Sequence, residues 1–449
     1  MTRDTPASDA PDPQSSPVPS AGRRGEVLAW AGYDWANSAY STLAITLLVA
    51  YIQTVVFPKE SHGTLGAQIW AFGIASSMLL AAILSPIVGA IADAHASKRR
   101  WLATTAGLGA GSAMLLSLVP PQYGWLIVAL FFSTSLCFEL SLGVYNGFLP
   151  EIADSESMNR ISAWGYSLGY VGGGLALVGA ILLMQFGPSI GLPDEVAQLR
   201  AGLFLMGAWW GVFTIPTIVV LRDRCQPSRQ PAPLAIAVRH AVVEVGHTLR
   251  HLRSFGMLAL FLLGFLFYND GIQTVISQSS TFALEELSFT TSQLIQLILM
   301  VQFVAMPGAM GVSWIADRWG QKPTLMACLA IWIGLLVVAY NIQTQGQFWI
   351  MAVVLALVMG GTQSVSRAIM GQMTPQRHAA EFFGFFNLSG KATSFFGTFL
   401  FGVMIRWTGS ARLAILSLLV FFLLGTLLVV WVDVERGRRE AGNDARASQ

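Results

Sequence analysis

Twelve stretches of mostly apolar residues, each long enough to cross a bilayer, dominate this 449-residue chain. A helix needs about 20 such residues to span the hydrocarbon. The stretches fall near 29–57, 66–92, 100–119, 123–149, 161–187, 199–221, 255–281, 291–316, 323–342, 347–373, 382–406 and 410–432. Strands are excluded, because membrane strands are short and alternate in polarity. Composition agrees: apolar residues make up 54% of the chain and charged residues 11%, against roughly 25% charged in soluble proteins. A soluble fold of this length would lack the charge to cover its surface. The expected fold class is therefore an all-α membrane protein.

Lysine and arginine placement sets the orientation. With an even number of spans both termini share one side. The segments on that side carry 21 basic residues, and those on the other carry four, Lys59, Arg200, Arg406 and Arg412. Both termini are thus expected in the cytoplasm, with the protein in the cell (inner) membrane. Residues 1–28 read as a disordered tail rich in Pro, Ser, Ala and Asp, 29–221 as one six-helix bundle, 222–254 as a linker, 255–433 as a second bundle and 434–449 as a tail. Within the linker, Leu234, Val238, Val242, Val245, Leu249 and Leu252 share one helical face, which fits a helix lying on the inner leaflet or a solvated linker helix.

Several functions are poorly served by this chain. A net charge of +2 gives no reason for a nucleic-acid partner. Cys137, Cys225 and Cys328 are too scattered for a disulfide framework or a zinc site, and all six histidines fall in or beside polar connections. No metal or other cofactor is expected. The segment from Gly384 to Gly390 and Lys391 looks like a phosphate loop, but it is one residue too long and intramembrane. No soluble stretch is long enough for an ATPase domain, and no paired-carboxylate or Ser–His–Asp site stands on a water-facing platform. The chain is not expected to be an enzyme.

The two bundles resemble each other. Ile91-Ala92-Asp93 ends the second span before Lys98-Arg99-Arg100, and Ile315-Ala316-Asp317 ends the eighth before Arg318 and Lys322. A shift of 221 positions places Asn146 on Arg367 and Gly169 on Gly390. Duplicated halves are typical of secondary transporters, whose solute site lies near the midplane between them.

Gly89 to Asp93, and Asp317-Arg318-Trp319-Gly320-Gln321-Lys322, resemble the two copies of the loop motif of the major facilitator superfamily. The first copy departs from the pattern, with Ala94 where a basic residue is usual. Within the superfamily the chain is similar to the vacuole effluxer-like, autophagy-related branch. The resemblance is carried by Tyr33 to Tyr40, Val144 to Pro150, Phe267 to Gly271, and Glu381 through Ser394. It implies twelve helices in two pseudo-symmetric six-helix bundles and alternating access. Eukaryotic members of the branch are associated with amino-acid efflux, so an amino acid or similar zwitterion is the substrate class implied.

Charge inside a span is expensive, by about 2.5–3.5 kcal/mol at the centre on insertion scales. Glu139, Asp270 and Lys391 lie within spans and Asp34 in the cytoplasmic third of the first. Helical spacing gives each a polar face: Asp34, Asn37, Ser38 and Ser41; Ser135, Glu139 and Asn146; Asp270, Gln273, Thr274 and Ser277; Asn387, Lys391, Ser394 and Thr398. These groups either bind solute and protons or only hydrogen-bond the helices together. The solute and proton set read from them is Asp34, Asn37, Glu139, Asn146, Asp270, Gln273, Asn387 and Lys391. In the zwitterion reading Lys391 faces a carboxylate, and Asp270 or Glu139 an ammonium. Buried acids are also the natural proton carriers.

In the resembled family an aspartate ending a helix docks on the start of a helix in the other half. A helix start carries free N–H groups and partial positive charge. Asp93 is thus expected on the start of the eleventh helix near Glu381, with Arg99 or Arg100 offsetting the repulsion. Asp317 is expected on the start of the fifth, with Arg160 as its charge partner. Arg318 and Arg367 complete the expected gating set. Gly165, Gly169 and Gly173 repeat every four residues and read as a packing stripe. Expected partners are a small solute, membrane lipid and protons, with the chain working as a monomer. Two other readings stay open here: a proton-coupled exporter of drugs or metabolites, and a sensor or scaffold on a transporter fold.

Overall fold

The structure is a computed structural model that describes residues 22–63, 65–154, 156–224, 236–240, 242–243, 255–391 and 394–447. The first half contains α1 (Gly22–Leu43), α2 (Leu65–Ala94), α3 (Lys98–Leu118), α4 (Gly124–Asn146), α5 (Met158–Phe186) and α6 (Glu195–Val220). Past Leu43, α1 continues through two wider π-helical segments, Ala44–Leu48 and Tyr51–Val56. The second half contains α7 (Gly256–Leu287), α8 (Thr291–Trp319), α9 (Gln321–Asn341) and α10 (Gln345–Met373). The eleventh crossing is made by α11 (Ala379–Lys391) and α12 (Ser394–Thr408), the twelfth by α13 (Ala411–Ser417) and α14 (Leu419–Val430). Eleven helical stretches among the described residues are long and apolar enough to cross a membrane, and α11 with α12 makes the further crossing.

The chain ends define one face of the bundle, called here the terminal face. On the opposite face the helices start with strong caps. The hydroxyls of Thr290 and Thr344 accept the N–H groups of Gln293 and Gln347, whose side chains reach back, two capping boxes that fix where α8 and α10 begin. Asp194 accepts the Ala197 N–H at 2.7 Å and starts α6. Such caps satisfy N–H groups that no carbonyl in the helix can reach.

In the first half α1 packs on α5 and α6, and α3 lies between α4 and α6. In the second, α8 packs on α10, and α7 on α14 and α12. The halves meet where α2 lies along α11 and α5 along α8 and α10. Small residues make this possible: a Cβ on Gly89 of α2 would fall 2.4 Å from the Ala380 carbonyl oxygen, and one on Gly384 of α11 2.7 Å from the Pro86 nitrogen. Trp30, Trp210 and Trp332 are wholly buried, whereas Leu108, Leu115, Ile215 and Val219 lie on the outside. That is the distribution a bundle in hydrocarbon needs, with no polar outer face.

Of the expected linker helix, Ile236–His240 is described, and Ala237 packs against Ala90 and Ile91 at the end of α2. Its Val242 is described as well, and Leu234, Val245, Leu249 and Leu252 lie outside the described residues, as does most of the N-terminal tail. The C-terminal segment is a helix, α15 (Val434–Ala447), packed on α10 and α7. Its Glu440 accepts the Met257 N–H at 3.2 Å, capping the start of α7.

Candidate functional site

Arg367 sits six residues before the end of α10 and is 2% exposed. At 1.5 Å per residue this is about 9 Å from the terminal-face end of that helix. Its Nη1 donates to Asp34 Oδ2 of α1 at 2.9 Å and to Asn146 Oδ1 of α4 at 3.4 Å. Its Nε and Nη2 donate to the Ser162 hydroxyl and carbonyl of α5, at 3.0 and 2.7 Å. Tyr145 donates its hydroxyl to the same Asp34 oxygen at 2.9 Å. The guanidinium lies 4.0 Å from the Tyr166 ring centroid and 4.8 Å from that of Trp30. A buried cation is tolerated only when its donors are filled and its charge matched. Every residue in this list apart from Arg367 comes from the first half, so the clasp ties the two halves together.

Gly165 gives the clasp its room. A Cβ there would lie 2.5 Å from Asp34 Oδ2 and 2.6 Å from Arg367 Nη2. The glycine stripe of α5 therefore serves more than helix packing: Gly165 faces the charge pair, Gly169 the Ser38 hydroxyl, and Gly173 Gln302 of α8.

Nearer the terminal face stands a second set of contacts. Asp93 Oδ2 accepts the Glu381 N–H at the start of α11 at 3.0 Å, the expected docking. The basic partner is Lys98, not Arg99 or Arg100. Lys98 is 2% exposed and reaches Asp93 Oδ1 at 2.8 Å and Glu151 Oε1 at 2.6 Å. It succeeds because the turn after Asp93 folds the first residue of α3 inward, leaving the next two basic residues exposed. Glu381 is itself buried, with His378 Nδ1 3.2 Å from its Oε2.

The other docking differs from expectation. Asp317 is exposed and accepts from the Asn159 side chain at 3.1 Å. Arg160 points to solvent and makes no ion pair with it, because the neighbouring Asn159, one position earlier on the start of α5, faces α8 instead. Arg318 stacks on Trp314 of its own helix, 3.8 Å from the ring centroid, and does not bridge the halves.

Deeper in the membrane the hydrogen bonds between halves continue from Ser162–Ser364 through Ser167–Met306 and Tyr170–Gln363 to Gln302–Thr42. Around this level lie the remaining polar residues. Asp270, about 21 Å along α7 at 1.5 Å per residue, is 0% exposed. Its Oδ2 accepts the Gly397 N–H in the first turn of α12 at 3.0 Å. Among the described residues its Oδ1 and the Thr274 hydroxyl are buried with no hydrogen-bond partner, and both approach Gly397. Asn37 and Asn387 each carry a buried side-chain N–H₂ group that likewise has no partner among the described residues. Glu139 is buried on α4, one turn from Ser135, which bonds the Tyr40 hydroxyl at 2.7 Å. Gln273 is half-buried. Lys391 closes α11, and its side chain lies outside the described residues.

Among the sequence-read residues, the structure brings together Asp34, Asn146 and Arg367, and separately Asp93 and Glu381. Asp34 and Asn146, expected from the sequence in the solute set, are both bonded to Arg367. Residues missed by the sequence reading are Lys98, Tyr145, Glu151, Asn159 and Ser162. A signal existed for two of them: Lys98 opens the basic cluster after a helix-ending aspartate, and Tyr145 adjoins Asn146.

The sequence model of the family described as "Vacuole effluxer Atg22 like" matches residues 67–442. The chain belongs to that family. This Atg22-like chain is 32% identical over 418 residues, 91% of its own length and 94% of the relative's, to a Bacillus subtilis (strain 168) protein named as an uncharacterized MFS-type transporter, YxiO. It is 28% identical over 322 residues to autophagy-related protein 22 of Coccidioides immitis (strain RS), and spans about half (52%) of that protein's length. Among solved structures it is similar to the human organic anion transporter MFSD10 at TM-score 0.70 and 12% identity, covering 92% of this chain and 100% of that one. The proton:xylose symporter XylE matches at TM-score 0.70 and 14% identity, with 92% and 96% covered. At those identities the likeness shows the fold, which is that of the major facilitator superfamily. This Atg22-like chain is an integral membrane protein and a transporter of that type.

Proposed function

We propose that this protein is a secondary transporter that moves a small zwitterion, an amino acid or close analogue, across the cell membrane by alternating access, coupled to protons. Both termini face the cytoplasm in this reading, so the clasp and the Asp93 docking close the cytoplasmic side. The observation that carries the proposal is Asp270. One of its carboxylate oxygens is held by a backbone N–H, and the other is buried at mid-membrane beside an equally unpartnered Thr274 hydroxyl. A buried acceptor left unmade costs about 1–3 kcal/mol, more when charged, so the site is incomplete until a proton or an ammonium fills it. The unpartnered amides of Asn37 and Asn387 suit a carboxylate. The family membership supports the same class of solute. Lys391 remains the proposed cationic partner of that carboxylate.

The test is uptake of radiolabelled solutes into proteoliposomes with and without an imposed pH gradient. Amino acids should be accumulated, and the gradient should drive them. Transport of neutral or hydrophobic compounds with no amino-acid flux would overturn the substrate class. Flux of an amino acid that ignores the gradient would overturn the coupling alone.

A further inference from the structure

At the terminal face, the connection from α2 to α3 and the residues just after α6 enclose a cavity of about 320 Å³ lined by His95, Arg99, Arg100, Arg222 and Asp223. Three arginines thus line it together with one carboxylate. That carboxylate is already engaged: Asp223 Oδ1 accepts the Arg99 N–H at 3.4 Å, and burial pushes its pKa up. His95 Nδ1 donates to the Ile91 carbonyl at 3.0 Å.

The neighbouring cations are matched. Lys98 is held between Asp93 and Glu151, and Arg224 pairs with Glu26. The guanidinium groups of Arg99, Arg100 and Arg222 make no ion pair among the described residues, although all three stand around one hollow. Arginines without an acidic partner at one cavity suit phosphate, which they bind through charge-assisted and often bidentate hydrogen bonds.

The cavity also has an apolar runway. It lies at the ends of α3 and α6, which pack on each other and turn Leu108, Leu115, Ile215 and Val219 outward. At 100° per residue, Leu108 and Leu115 fall within about 80° of Arg100 around α3. An amphiphile whose phosphate occupies the cavity can lay its acyl chain along that face. Basic pockets between helix ends on the cytoplasmic side are suited to anionic headgroups.

We infer that this cavity binds the phosphate headgroup of an anionic phospholipid from the cytoplasmic leaflet. The leaflet follows from the orientation in the proposed function, and the binding itself is independent of what is transported. The residues that line the cavity flank Asp93 and Lys98, so a bound headgroup braces the connection that docks on α11. An anionic lipid is therefore expected to favour the state closed on this face.

The test uses the full-length protein in neutral detergent, with native mass spectrometry and thermal unfolding as readouts. Phosphatidylglycerol, phosphatidylcholine and glycerol 3-phosphate are added separately. Phosphatidylglycerol should be retained and should raise the unfolding temperature, and the other two should do neither. The Arg99→Gln/Arg100→Gln/Arg222→Gln variant should lose at least half of both effects. Should that variant fail to fold, Arg222→Gln alone is read the same way, since it lies outside any helix. An unchanged lipid effect in the variant, or equal retention of phosphatidylcholine, would overturn the site. An equal response to glycerol 3-phosphate would make it a site for free anions, which also overturns the lipid assignment. None of these readouts requires a known solute, so a failure of the transport reading leaves them intact.

Discussion

Arg367 and Asn146 stand 221 positions apart, the same offset that superposes the two halves of the sequence, and the guanidinium of one donates to the side-chain oxygen of the other at 3.4 Å. Two arginines there would repel, and two amides would leave Asp34 buried and unmatched. The contact joins one cation and one amide, and Asp34 of α1 supplies the counter-charge at 2.9 Å.

Removing one member of the clasp strands the other. Breaking a buried pair costs about 3–5 kcal/mol. Asp34→Asn and Arg367→Gln should each lower thermal stability strongly, and the double variant should lose less than the sum. A double-mutant cycle by thermal unfolding measures this, and strictly additive losses would show that the two side chains act independently.

Gly165→Ala should disrupt the same clasp without touching a charge, because the added methyl collides with both Asp34 and Arg367. Gly107→Ala on α3 is the control, since a Cβ there meets nothing within 4 Å. In that position alanine should be neutral or stabilising by about 1 kcal/mol at most. Equal behaviour of the two variants in thermal unfolding would contradict the steric account.

The two dockings are expected to be unequal. Asp93 is buried and bonded to both Glu381 and Lys98, whereas Asp317 is exposed and, among the described residues, holds the Asn159 amide alone. Asp93→Asn should therefore open the terminal face more than Asp317→Asn. A cysteine at Ser85, buried against Gly143 and Gly384, in a background lacking Cys137, Cys225 and Cys328, reports this through its labelling rate. Faster labelling in the Asp317 variant than in the Asp93 variant would reverse the ranking.

Asp270→Asn should abolish the dependence of transport on a pH gradient, since an amide cannot exchange the proton. It keeps an acceptor for the Gly397 N–H, so the fold should hold. Glu139→Gln, measured beside it in the same vesicles, separates the two proposed carriers. If the gradient still drives flux in the Asp270 variant but not in the Glu139 variant, the proton resides on α4.

The number of crossings, the kinship of the halves and the Asp93 docking could be read from the chain alone. Apolar run length is set by bilayer thickness, and a helix-ending aspartate has few ways to satisfy itself, so both leave marks in one dimension. Side-chain partnership does not. Lys98, Arg99 and Arg100 are adjacent and chemically similar, and only the turn after Asp93 decides that the first is buried between two carboxylates while the next two line an open cavity. Arg160 is the expected partner of Asp317 and Asn159 the observed one, because charge is visible in a sequence and the direction of a helix face at its first turn is not. Arg367 is legible in the chain as the repeat mate of Asn146 and as a member of the gating set. Its pairing with Asp34, 333 positions away, depends on how two bundles close against each other, and that geometry exists only once α1, α4, α5 and α10 are packed together.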